Sequence, residues 1–203
     1  MKFEKEYLDL FLVPTGLWIM FSYHLFLLYR VLRYPQTTVI GYENHNKMAW
    51  VERMMQTETR DLGSALAVIS NNTTAATFLG SMCITLSSLI GTWVAGSAQN
   101  IFVSRLIFGD TSQTTMSMKY ISLLSFFLVA FVSFVQSARG SNFWSLGLRA
   151  LYFAIILLLW IFGPIPMFAA SVIMVLFLHV VDTNSLPLHQ YGKPPLGQRM
   201  LGR

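Results

Sequence analysis

The chain has 203 residues, of which 54% are hydrophobic and only 11% charged, with a mean hydropathy of +0.54. Soluble domains carry about 25% charged residues, so this balance excludes an ordinary water-soluble globule and points to a bilayer as solvent. The formal charge of +5 does not call for nucleic acid, because basic residues also collect beside membrane spans. The lone cysteine, Cys83, excludes an intrachain disulfide and a cysteine-built metal site.

The first apolar segment covers residues 8–29, with Pro14 and Gly16 in its opening turns. Lys2 and Lys5 alternate with Glu4 and Glu6 before it, and no small-residue cleavage pattern follows. It reads as a retained signal anchor. Tyr34-Pro35 ends this helix, since the residue before proline avoids helical geometry.

A polar connection follows, becoming helical again from about Asn46. Met48, Val51, Met54, Met55 and Leu62 share one face there, against Glu52, Arg53, Gln56 and Arg60 on the other. Trp50 lies nearby, and the pattern fits an amphipathic helix at the headgroup boundary or one packed on protein.

The second segment, residues 64–98, carries Ser70, Thr74, Thr77, Ser81, Thr85, Ser88 and Thr92. At 100° per residue they fall within an arc of about 80° and draw one polar line down a membrane-length helix. A polar group in hydrocarbon needs a partner or water. The third segment, residues 119–137, has its own polar arc of Ser122, Ser125, Ser133, Gln136 and Ser137. The two stripes can pack and hydrogen-bond to one another, or border a hydrated path within one chain or around an oligomer axis.

The fourth segment, residues 146–181, is too long for one straight perpendicular span. Gly163, Pro164 and Pro166 in its middle predict a kinked helix with a candidate hinge. The residues from 183 to 203, rich in proline and glycine, read as a disordered tail. The whole is an all-α, polytopic membrane domain of four spans over residues 1–182.

Four spans put both termini on one face. Arg30, Arg33, Lys47, Arg53, Arg60, Arg139 and Arg149 lie on the other, which the positive-inside rule makes cytosolic. Asn71, Asn72, Arg30, Arg139 and Arg149, with His24 and Tyr29, gather at that face as candidate contacts for an anion or a lipid headgroup. The plain alternative is that the arginines snorkel to anchor helix ends. The glycosylation sequons of Asn71-Asn72-Thr73-Thr74 lie on the same side and are expected to be unused. At the opposite face, Asp9 opens the first span and Asp182 closes the fourth, one turn after His179; the three could bind a proton or a cation, but simple solvation of the two carboxylates is the favoured reading. No nucleophile elbow, zinc-helix pattern or phosphate-cradling glycine loop is present. No catalytic role, cofactor or metal is therefore expected.

The order of several short pieces resembles a plant and bacterial membrane family known as domain of unknown function 599. These pieces are Tyr7-Leu8-Asp9-Leu10, Tyr23-His24, Tyr29-Arg30, Thr38-Val39-Ile40-Gly41, Trp50-Val51, Asn71-Asn72, Gln136-Ser137 with Arg139, Arg149-Ala150, Tyr152-Phe153 and Leu159-Trp160-Ile161-Phe162-Gly163-Pro164. The resemblance implies a plant source and four spans, and supplies no catalytic residues. Two functional readings follow from the residues themselves. One is a homo-oligomeric channel or transport component lined by the second and third spans. The other is a non-transporting scaffold or lipid-interacting protein, with membrane lipids as partners in either case. The membrane, plasma or internal, is left open.

Overall fold

The computed structural model describes residues 5–55, 62–97, 113–139 and 142–185. Six α-helices follow in chain order: α1 (Lys5–Arg33), α2 (Val39–Met55), α3 (Leu62–Ser97), α4 (Gln113–Ala138), α5 (Trp144–Phe162) and α6 (Pro164–Val181). A single 3₁₀ turn, Pro35–Thr37, joins α1 to α2. The expectations for the polar face at Gln56 and Arg60 and for the tail from residue 186 fall outside the described residues. Thr183 belongs to the structured part, paired with Thr38 in an isolated antiparallel bridge.

Among the described residues, five helices, not four, are long and apolar enough to cross a bilayer: all but α2. The correction lies in residues 146–181, which form two antiparallel helices instead of one kinked rod. Their direction is fixed by what each meets on α1. Along α5, Phe153 packs on Phe21 and His24, and Trp160 reaches back to Asp9. Along α6, Ser171 lies against Gly16 and Asp182 reaches Tyr23. So α6 runs parallel to α1, while α5 runs against it.

The reversal turns on one residue. Gly163 has φ 147° and ψ 170°, a region essentially closed to side-chain-bearing residues. A helix start leaves four N–H groups without partners. Pro164 and Pro166 have no N–H at two of those places, and Met167 N–H donates to the Gly163 carbonyl at 3.4 Å. Behind the turn, Gly163 N–H is shared between the Leu159 and Trp160 carbonyls. The turn therefore needs little water, which is why no polar loop marks it. At about 1.5 Å per residue, α5 and α6 each reach nearly the 30 Å of a hydrocarbon core.

The core runs through α4 and α5. Leu123, Phe127, Ala130 and Phe134 of α4 meet Ala150, Phe153, Ala154 and Leu157 of α5, all buried. Phe134 stands edge-on to Trp144, and Phe126 stacks on Phe153. A β-carbon on Gly147 would come within 2.9 Å of the Phe134 ring, so bare backbone is required at this crossing. Helix α3 packs along α4 through Ala76, Gly80, Cys83 and Ile90, of which Cys83 and Ile90 belong to this core.

Helix α2 begins at Val39, seven residues before the sequence pattern becomes legible. Thr38 accounts for this: its Oγ1 accepts a hydrogen bond from Gly41 N–H at 3.2 Å, capping the first turn. Met48 and Met55 on its apolar face are 72% and 84% exposed.

Candidate functional site

Two clusters of buried charge lie at opposite ends of the bundle. At the first, the Asp182 carboxylate is held on both oxygens. Tyr23 Oη–H donates to Oδ2 at 2.7 Å, and Arg149 donates to Oδ1 through Nη2. The Asp182 carbonyl also accepts from Val39 N–H, and Asn184 N–H donates to the Thr37 carbonyl. One residue thereby joins α1, α5, α6 and the entry to α2. Arg149 lies over the Tyr152 ring, and Arg30 donates to the Thr37 carbonyl at 2.9 Å.

His24 sits beside this cluster, its ring tilted against that of Phe153 and edge-on to Tyr23. Its Nδ1 lies 2.7 Å from the Met20 carbonyl, so Nδ1 carries the proton and Nε2 presents a lone pair. That Nε2 and Arg149 Nη1 are buried without a hydrogen-bond partner among the described residues. Each polar atom left in this state is costly in a low-dielectric region.

At the other end, Asp9 Oδ1 accepts from Trp160 Nε1–H at 2.9 Å and lies 3.8 Å from Lys119 Nζ. Lys119 is fully buried and lies over the Trp160 ring at 5.4 Å. The ammonium therefore meets a carboxylate and an aromatic face. The expectation of two solvated carboxylates sharing one face is overturned: Asp9 and Asp182 are both buried, at opposite ends, each with its own cation. The fifth helix is the reason, since it carries Asp182 back to the other side. Tyr23, Lys119 and Trp160 were missed as partners in the sequence. The available signal was a lysine and an aspartate inside otherwise apolar helices.

The hydroxyl stripes come out differently from one another. Ser70, Thr74, Thr77, Ser81, Thr85, Ser88 and Thr92 are all exposed on α3. On α4, Ser125 is exposed, Ser122 and Gln136 are half-buried, and Ser133 is buried. No hydroxyl-to-hydroxyl bond joins α3 to α4 among the described residues, and their contact is apolar. Six of these hydroxyls are satisfied within their own helix instead. Thr77 donates to the Thr73 carbonyl, Ser81 to Thr77, Thr85 to Ser81 and Thr92 to Ser88, all at 2.8 to 2.9 Å. Ser125 and Ser133 donate likewise to Ile121 and Val129. Back-bonding of this kind meets the need for a partner without a neighbour.

The candidate headgroup residues do not form one cluster. Arg149 is committed to Asp182 and Arg30 has an arm on Thr37, whereas Asn71, Asn72 and Arg139 are exposed. Arg139 closes one end of a groove of about 290 Å³ between α3 and α4, lined also by Ala76, Thr77, Gly80, Ser81, Phe131, Val135 and Ala138. The candidate hinge of Gly163, Pro164 and Pro166 is the turn of the α5–α6 hairpin.

No curated protein and no solved structure matches the chain. A family model does, over residues 11–143 and 138–187, and its description is a protein of unknown function, DUF599. The match takes in the Asp182 cluster, the hairpin, the hydroxyl helix, and Lys119 and Trp160 but not Asp9 of the other cluster, and the chain belongs to the DUF599 family.

Proposed function

We propose that this multi-pass membrane protein is a transport component whose path is completed only between copies of the chain, with the hydroxyl line of α3 as lining. The observation that carries this reading is the exposure of all seven hydroxyl residues from Ser70 to Thr92. They extend over 22 residues, about 33 Å of helix, close to the thickness of the hydrocarbon core. On a helical wheel the line is centred about 150° away from the face that α3 presents to α4. One chain therefore leaves the line open to the side, and a second copy is needed to enclose it.

The direction of the hydrogen bonds narrows the cargo. Thr77, Ser81, Thr85 and Thr92 give their protons to carbonyls of their own helix. At those four positions, what remains outward is a row of oxygen lone pairs. Such a row accepts hydrogen bonds or ion–dipole contacts, so it favours water, a monovalent cation or a neutral polar solute over an anion.

Five crossings would place the two ends of the chain on opposite sides. The residues after α6 then join the side of Arg30, Arg139 and Arg149, giving that side ten of the fourteen lysines and arginines. By the positive-inside rule it faces the cytosol, and Asp9 and Lys119 lie towards the outer end.

The test is flux through liposomes holding the purified protein. Thr77→Leu, Ser81→Leu and Thr85→Leu together are expected to abolish it while leaving helicity and the cross-linked oligomer intact. Flux unchanged by the triple substitution, or a strictly monomeric protein in lipid, would reject the reading.

A further inference from the structure

The groove between α3 and α4 is graded along its length. Its floor and walls are Ala76, Gly80, Phe131 and Val135, and the Arg139 guanidinium stands at the mouth beside the basic end of the bundle. We propose that it seats one phospholipid with an anionic headgroup, the phosphate on Arg139 and the start of an acyl chain against Gly80 and Phe131. The proposal does not rest on the transport reading.

Three observations support this occupant. Arg139 has no ion pair among the described residues, whereas Arg149 is spent on Asp182. A guanidinium with its donors free matches a phosphate with two parallel hydrogen bonds. Next, the groove wall has space that helix packing does not require. A β-carbon added at Gly80 would meet only Phe131 and Phe134, each at an ordinary 3.7 Å. Last, the charge is of the matching sign, since the basic end is the one expected to face the anionic cytosolic leaflet.

The same geometry shows which groups do the recognising. Thr77 and Ser81 border the groove, but their protons are directed to the Thr73 and Thr77 carbonyls. They offer the phosphate no donor. Asn72 lies one turn before Ala76 on the same side of α3 and is exposed, within reach of the headgroup beyond the phosphate. Recognition of the charge therefore falls on Arg139 alone.

The experiment is native mass spectrometry of the full-length protein released from nanodiscs holding phosphatidylglycerol and phosphatidylcholine in equal amounts. The unaltered protein is expected to retain one phosphatidylglycerol in preference to phosphatidylcholine. Arg139→Ala should lower that retention roughly tenfold, the loss of a charge-assisted contact, while Arg33→Ala should leave it unchanged. Gly80→Leu, which fills the groove but keeps the guanidinium, should also lower it. Val135→Trp gives the same test from the opposite wall if Gly80→Leu fails to fold, judged by size-exclusion profile and circular dichroism. Equal retention in Arg139→Ala overturns the proposal. So does retention lost with Arg139→Ala, untouched by both groove-filling variants and displaced by inorganic phosphate, because that result describes a free phosphate site and not a lipid groove.

Discussion

The unit formed by α1, α5 and α6 and the helix α3 handle polar groups in opposite ways. In the three-helix unit, the two buried carboxylates find partners across helices. Asp182 takes Tyr23 from α1 and Arg149 from α5, and Asp9 takes Trp160 from α5 and Lys119 from α4. In α3, hydroxyls find partners one turn back in their own helix. The first solution locks helices in register, because a charge buried without its partner costs far more than the pair. The second ties the hydroxyls to no neighbouring helix, so α3 is held to α4 by apolar contacts and its polar face stays exposed. Stability therefore belongs to the charge clusters, and interaction to α3.

The largest expected effect tests the locking half of this contrast. Asp182→Ala leaves Arg149 buried without its carboxylate and should cost about 3–5 kcal/mol, read as a lower unfolding midpoint in detergent. Replacing both Asp182 and Arg149 with leucine should cost clearly less than Asp182→Ala alone. If the single and double variants lose the same stability, the pair is not a lock.

Gly163→Ala comes next. It forces a side chain into φ 147° at the hairpin and should cost about 1–3 kcal/mol. An unchanged midpoint would mean that the turn is not held in this conformation. Trp160→Phe keeps the ring over Lys119 but removes the N–H to Asp9, for an expected loss of about 1 kcal/mol. An unchanged midpoint would show that the Lys119 contact suffices for Asp9. The smallest effect should come from the contrasting helix. Thr85→Leu and Ser88→Leu, both exposed and outside the core, should shift stability by no more than about 0.5 kcal/mol. A loss of several kcal/mol in the single chain would mean that α3 already uses this face for folding.

The hairpin shows where the sequence falls short. Length and hydropathy reveal an apolar run over residues 146–181, but a polar loop is the usual mark of a reversal. Here Gly163 supplies the backbone conformation, and Pro164 and Pro166 remove N–H groups that would otherwise demand water. The same three residues are read equally well as a kink. Only with the chain folded back does Arg149 come level with the end of α6, and so with Asp182. The start of α2 was missed for a similar reason: its cap is a local side-chain bond from Gly41 N–H to Thr38 Oγ1, while the apolar periodicity begins several residues later.

Composition and periodicity by themselves determined that this is an all-helical chain with membrane-length apolar helices, and that one of them carries a hydroxyl line, since both follow from the properties of successive side chains. Tertiary structure alone decided that there are five such helices, that each buried carboxylate has its own cation, and that the hydroxyl line faces outward. These depend on which helix lies beside which and in what direction, and a one-residue turn can reverse that direction with little trace in hydropathy.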